Sequence, residues 1–452
     1  MAYPLTMATR LVVIAFLLLA PLHAAKHVVL ISIDGFAAYH LLNEDLELPN
    51  IRGLIKQGVW YSASETVFPS VTHPSHTTIL TGVSPRRHGV LSNGMTNRDT
   101  GENFHPTNKP RTEIVKVPTL FDAAKKMGLK TAGFYWPETK DDPSVDFNIA
   151  GARTPDGRID VSATKPQVLK ELRDAGVPID LYFDWRKTEL AGAGDVVLTN
   201  AAAYVIKAHR PNLLAIHLLV TDHTQHKYGP HHYKSQWALS RADYCVGLLR
   251  EAVASAGLSD ETVFVVTADH GFHSVFYQLN VRPAFAEAGL LDKVWLRGGG
   301  WTIAVTEKDK FDSARDQPVL ERTLSKLLEH ENIARIIRPE DFHSLGQPRY
   351  EEDPHALGQY LIIPDIDTHL VANDSSSSME RRPKASPSHG HGYLPQHPRM
   401  YTSLVLAGPG VKTGVTLPKA RNLDIAPTIA ALLGLEFGNT EGSPLNEALS
   451  SQ

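Results

Sequence analysis

Short apolar runs, several of them closing on an aspartate or a glycine, alternate with stretches of helical spacing along most of this chain. The runs HVVLISID (27–34), KTAGFYW (130–136), NLLAIHLLVTD (212–222), TVFVVTAD (262–269) and YTSLVLAG (401–408) predict strands, and their near-continuous apolar character predicts burial on both faces. Helical spacing near 119–127, 196–209, 235–256, 319–329 and 423–433 predicts helices. Strands alternating with helices imply an α/β fold, a mainly parallel central sheet with helices on both faces. No internal repeat with a period of a few tens of residues is present.

Three tracts depart from this rhythm. Residues 97–116 and 138–194 are rich in Pro, Gly and charge, and 275–388 holds a second αβ-like set that includes WTIAV and YLIIPDIDTHLV. All three are expected to be cap insertions on one domain spanning 25–452. Within the third, SSSSMERRPKASP (375–387) reads as a polar, mobile loop. At the other end, Arg10 precedes LVVIAFLLLA, and small residues follow at Ala24 and Ala25. That is the pattern of a secretory signal over 1–24, with a short membrane tether as the rival reading; the apolar run is too short to span a bilayer, so no stable membrane span is expected after cleavage.

Composition narrows the partners. A hydrophobic content of 42% and a charged content of 21% are ordinary for a globular protein. The formal net charge of −4 gives no support to a nucleic-acid polymer as partner. Small anionic substrates remain compatible, because bound metals reverse the local field. With Cys245 as the single cysteine no intrachain disulfide can form, and export without disulfides suits a bacterial periplasm. Cys245 falls in the helical pattern RADYCVGLLREAV and is expected to be buried and inert. Oligomeric state is left open.

The informative pattern is where the acids fall. Asp34, Asp222 and Asp269 each close an apolar run, and in a parallel sheet such ends line one edge, where ligands bind. A single aspartate there would be an ordinary helix cap or turn former. Here histidines accompany them: His223 and His226 follow Asp222, His270 follows Asp269, and SHGHGY (388–393) adds His389 and His391. Carboxylate and imidazole ligands together suit zinc, and three of each would fill two sites that each keep an open position. His217, inside an apolar strand, is expected to be a satisfied core residue.

VFPSVTHPSHTTILTG (67–82) adds a possible nucleophile at Ser70, Thr72 or Ser75. THPSHTTIL predicts a helix with Pro74 in its first turn, and a helix start suits a phosphate. Thr72 or Ser75 would equally serve as a plain N-cap. A free threonine hydroxyl is a poor nucleophile near neutral pH, and coordination to a dication is what would activate it.

ISIDG, PSVTHPSHTTILTG, HGVLSN, FYWP, the Asp222/His226 pair, TADHG, HGY and LDIAPTIAALLG together resemble the type I phosphodiesterase/nucleotide pyrophosphatase family of the alkaline phosphatase superfamily, over most of residues 27–435. The resemblance implies an alkaline-phosphatase-like fold and two divalent metals, most simply Zn2+. It makes Thr72, ten residues before Gly82, the nucleophile. Asp34, Asp269 and His270 would hold one metal with Thr72, and Asp222, His226 and His391 the other. Asn93 matches the family asparagine that donates to a phosphoryl oxygen, with the backbone N–H of His73 as a second donor. The implied reaction is hydrolysis of a phosphodiester or phosphoanhydride in a small phosphoester or nucleotide through a phosphothreonine-type intermediate. A phosphomonoesterase or phosphonate hydrolase of the same superfamily is the alternative, and a non-catalytic metal-binding protein the rival from another class. The chain departs from the family at His73-Pro74-Ser75-His76, where phosphodiesterase members usually read Phe-Pro-Asn-His, and at Thr77 in place of an aromatic. Both changes lie beside the pocket and bear on substrate choice.

Overall fold

The computed structural model describes residues 25–154, 158–185, 191–374 and 379–450. The expected leader, 1–24, lies outside these, as do 375–378 of the polar tract. Nine strands form the central sheet: β1 (His27–Ile33), β2 (Gly58–Glu65), β3 (Thr131–Phe134), β4 (Phe147–Ile149), β5 (Leu213–Leu218), β6 (Thr262–Thr267), β7 (Thr402–Ala407), β8 (Val415–Leu417) and β9 (Ala420–Arg421). Their order is β8-β2-β7-β6-β1-β5-β3-β4, with β9 also beside β2. β7 runs antiparallel to both its neighbours, and every other pairing is parallel. The mainly parallel expectation therefore holds.

Helices α1 (Thr72–Thr81), α2 (Leu120–Lys126), α3 (Ala191–His209), α4 (Val220–Tyr228), α5 (Tyr233–Ser255) and α6 (Ile425–Leu433) accompany the sheet. All seven residues of β1 are buried, and they sort by alternation onto two cores. Val29, Ile31 and Ile33 pack with Leu198 and Ala202 of α3 and Val246 and Leu249 of α5. Val28 and Leu30 pack with Ile79 and Leu80 of α1 and Ile429 of α6. Two apolar faces are the reason β1 reads as an unbroken hydrophobic run.

The tract 138–194 contributes β4 to the sheet edge and helices at Pro166–Asp174 and Ile179–Trp185. The tract 275–388 carries an antiparallel sheet, in the order Val294–Gly299, Thr302–Glu307, Tyr360–Pro364, Ile333–Ile337, with helix Ser313–Leu328 and a core of its own. A three-stranded sheet joins Thr368–Val371, His273–Asn280 and Arg382–Gly390.

Two local expectations change. The segment read as a loop up to 387 runs into strand Arg382–Gly390, which pairs with His273–Asn280 across a register shift, so backbone pairing outweighs its polar, Pro-bearing composition. Asp222 does not close a strand: β5 stops at Leu218 and α4 begins at Val220, putting Asp222 in its first turn. The Asp195 carboxylate accepts from the N–H of Leu219 and Val220, which starts the helix there.

Candidate active site

Of the three candidate hydroxyls in residues 67–82, one is available. Ser70 is fully buried and donates to the Tyr393 carbonyl at 2.7 Å. Ser75 is also fully buried and bonds Thr66 Oγ1 at 2.7 Å. Thr72 is only partly buried and lines a cavity of about 270 Å³. It is not an N-cap either. Val71 occupies that position with extended backbone, and no side chain caps the helix. Thr72 therefore carries its hydroxyl on the first turn of α1, at the positive end of the helix dipole. Gly82 closes α1 in the left-handed conformation (φ 67°), its N–H bonded to the Thr78 carbonyl at 2.8 Å.

Three side chains converge on His270 Nε2: Asp269 Oδ2 at 3.1 Å, Asp34 Oδ1 at 3.4 Å and Thr72 Oγ1 at 3.5 Å. A second cluster adjoins it. Asp222 Oδ1 lies 3.2 Å from His226 Nε2 and 3.5 Å from His391 Nε2, and those two nitrogens are 3.2 Å apart. The rings of His270 and His391 stack at 3.5 Å, nearly parallel, so the clusters share a wall. Asp34 and Asp269 arrive from the ends of β1 and β6, Asp222 and His226 are one turn apart on α4, and His391 follows strand Arg382–Gly390.

The donors are set for a cation. Each histidine gives Nδ1 to a backbone carbonyl: His270 to Gly271 (3.0 Å), His226 to His389 (2.8 Å) and His391 to Ser70 (2.9 Å). A ring nitrogen facing a carbonyl must carry the proton, so each Nε2 presents a lone pair. Burial holds His270 and His391 neutral, with pKa values lowered to about 4 and about 3. Burial, and then the carboxylates of Asp269 and Asp222, push the Asp34 carboxyl well up. Burial also opposes ionisation of Asp222, but His226 and His391 outweigh it and its pKa is lowered. Asp34 Oδ1, Asp222 Oδ1 and Asp269 Oδ2 are buried without a hydrogen-bond partner. Buried carboxylate oxygens left open beside imidazole Nε2 atoms fit a divalent metal at each cluster.

Sequence reasoning missed the layer beneath. His217 donates from Nε2 to Asp34 Oδ2 at 3.0 Å, so this strand histidine is buried yet orients a site carboxylate. His76 bonds the Thr72 carbonyl through Nδ1 at 2.9 Å, and its ring lies 4.1 Å from that of His217. The spacing of His76, one turn after Thr72, was the available signal. Asn93 sits beside α1, but its Oδ1 accepts the His73 N–H at 2.8 Å. That N–H, expected as a substrate donor, is thus engaged, and the Asn93 amide N–H2 is the donor left over. Two of the residues that depart from the family pattern meet at one partner: Glu138 accepts from His73 Nδ1 (2.6 Å) and Thr77 Oγ1 (3.1 Å). Tyr135 and Tyr182 line the cavity edge to face, their rings 6.0 Å apart. Trp136 and Phe183 are buried in the two cores.

A family model described as type I phosphodiesterase / nucleotide pyrophosphatase matches residues 28–394. Venom phosphodiesterase 2 of Crotalus adamanteus is 27% identical over 253 residues, 55% of this chain and 27% of that protein. The chain thus spans about a quarter of the length of this relative. Ectonucleotide pyrophosphatase/phosphodiesterase family member 7 of Mus musculus is 22% identical over 436 residues, 94% of this chain and 87% of its own. Among solved structures, murine ectonucleotide pyrophosphatase/phosphodiesterase 5, as an inactive threonine-to-alanine variant in complex with AMP, superposes with a TM-score of 0.70 at 17% identity, covering 94% of this chain and all of that one. That likeness establishes the fold. With the family model covering both clusters and Thr72, the chain belongs to the type I phosphodiesterase / nucleotide pyrophosphatase family.

Proposed function

We propose that this protein is a two-metal phosphodiesterase or nucleotide pyrophosphatase that hydrolyses a phosphodiester or phosphoanhydride through a phosphothreonine at Thr72. The observation that carries the reading is the single available hydroxyl of α1 placed within 3.5 Å of His270 Nε2, at the edge of two clusters of open carboxylate and imidazole donors. Asp34, Asp269 and His270 would hold one ion, with Thr72 facing it, and Asp222, His226 and His391 the other. Nitrogen and oxygen donors without thiolate suit Zn2+. Bound there, such ions supply Lewis-acid stabilisation of the oxygens that enter and leave phosphorus.

The chain's own groups do the rest. Thr72 Oγ1 forms a bond to phosphorus as the bond to the leaving oxygen breaks. Water then takes the phosphoryl group from Thr72 and restores the hydroxyl. The Asn93 amide, beside α1, would donate to a non-bridging oxygen, and an oxygen seated at the helix start would exchange for Asn93 Oδ1 at the His73 N–H. Tyr135 and Tyr182 offer an aromatic wall to the organic part of the substrate. The N-terminal apolar segment would direct export, to a periplasm in a bacterial host.

The test is a substrate screen with the metal-loaded protein: bis-p-nitrophenyl phosphate, a nucleotide p-nitrophenyl ester and p-nitrophenyl phosphate. Diester or nucleotide turnover is expected. Preference for the monoester would indicate the phosphomonoesterase alternative, and silence on all three a non-catalytic metal binder. Thr72→Ala is expected to keep two metals per chain by elemental analysis while turnover falls by at least about a thousandfold. Near-normal turnover would remove Thr72 from the mechanism.

A further inference from the structure

We propose that Arg153 forms a second anion subsite in the same cavity, seating a phosphate other than the one Thr72 attacks; this rests on the phosphoryl-transfer reading above. Arg153 lines the cavity together with Thr72 and Asn93, and it is the one arginine or lysine on that wall among the described residues. Its backbone is fixed: the N–H donates to Asn108 Oδ1 at 2.8 Å, and the residue bridges to Ile159. Its side chain makes no hydrogen bond or ion pair to the described residues. Nε is buried with no hydrogen-bond partner. Among the described residues no carboxylate pairs with it, whereas nearby Arg111 pairs with Asp122 and with Asp142 at 3.7 Å.

The cavity's carboxylates are engaged elsewhere. Asp34 and Asp222 belong to the two clusters, and Asp195 accepts from the backbone N–H of Leu219 and Val220. Arg153 is half-buried, so its guanidinium reaches the cavity with Nε shielded from water and unbonded, and the oxygens of an anionic ligand would complete it. Its planar fork matches phosphate oxygens in a bidentate way that lysine does not. The substrate class that follows is a phosphate ester or anhydride with a further charged phosphate beyond the scissile bond, in preference to a diester with uncharged substituents.

The test compares the metal-loaded wild type with Arg153→Ala and Arg153→Lys on ATP and on bis-p-nitrophenyl phosphate. The ratio of kcat/KM for ATP to that for the diester is expected to fall at least about tenfold in R153A, with partial recovery in R153K. Calorimetry with inorganic pyrophosphate and inorganic phosphate provides a readout that needs no turnover. Wild type should favour pyrophosphate, and R153A should lose that preference. Equal losses on both substrates, or an undiminished pyrophosphate preference in R153A, would overturn the subsite. A wild type that turns over neither substrate but keeps an Arg153-dependent pyrophosphate preference would count against phosphoryl transfer at Thr72 and for the anion subsite.

Discussion

At the scale of single residues, the site depends on side chains that act through another residue as well as on those of the two clusters: His217 reaches Asp34 Oδ2 at 3.0 Å, and His76 holds the Thr72 carbonyl at 2.9 Å. Asp34, Asp269 and His270 stand out in the sequence because carboxylates and imidazole end apolar runs. His217 does not, since a histidine inside a strand carries no mark of what its ring meets. Its bond to Asp34 Oδ2 leaves Oδ1 turned toward His270. His217→Leu should therefore weaken metal binding by roughly 10–100-fold, as loss of an outer-shell partner does. Chelator competition would measure this, and an unchanged affinity would reduce His217 to packing. Glu138 escaped notice for the same reason: nothing in FYWPET announces that His73 and Thr77 will share its carboxylate. Its backbone is in the left-handed region (φ 54°), a conformation that costs about 1–3 kcal/mol for a non-glycine residue and is retained here under two side-chain hydrogen bonds.

Elements were readable in kind and less so at their ends. The period-2 sorting of β1 onto two cores and the helical spacing of α2, α5 and α6 gave correct assignments, because burial on fixed faces leaves a pattern. The end of β5 was misplaced, since the apolar run continues past Leu218 and the helix start depends on Asp195, distant in sequence. The position of α1 rests on a further contact of this type. His88 accepts the Val90 N–H at Nδ1 (3.1 Å) and meets Thr78 Oγ1 through Nε2 (3.0 Å), an arrangement that requires the neutral ring. Burial lowers its pKa to about 3. The unfolded chain, with a histidine pKa near 6.5, then takes up the proton first, so this contribution is complete above about pH 6.5 and is lost as pH falls toward 3. The slope approaches about 1.4 kcal/mol per pH unit. Urea unfolding of the metal-free protein between pH 7.5 and 5 should show this decline, with a smaller one in His88→Gln. Parallel declines in both would remove His88 as its source.

For the molecule as a whole, the α/β architecture and its mainly parallel sheet followed from alternation alone, while the sheets of 275–388 could be recognised only as a second αβ-like set. Their strands pair out of sequence order, and nothing local encodes that. The clusters also tie distant parts together, so metals should stabilise the fold. At a free metal concentration a hundred times Kd, each site would add about 2.7 kcal/mol, and chelation should lower Tm by several degrees or more. Scanning calorimetry with chelator and after Zn2+ return would measure it; an unmoved Tm would mean that the clusters bind no ion. The proposed ligands are strung from residue 34 to residue 391, on strands, a helix and a late loop. A ribosome builds such a chain from one end, and the first three carboxylates emerge long before His391. The ion held by Asp222, His226 and His391 cannot acquire its full protein shell until residue 391 has been made, and the other must wait for His270, so a chain halted before residue 270 is a poor scavenger of zinc.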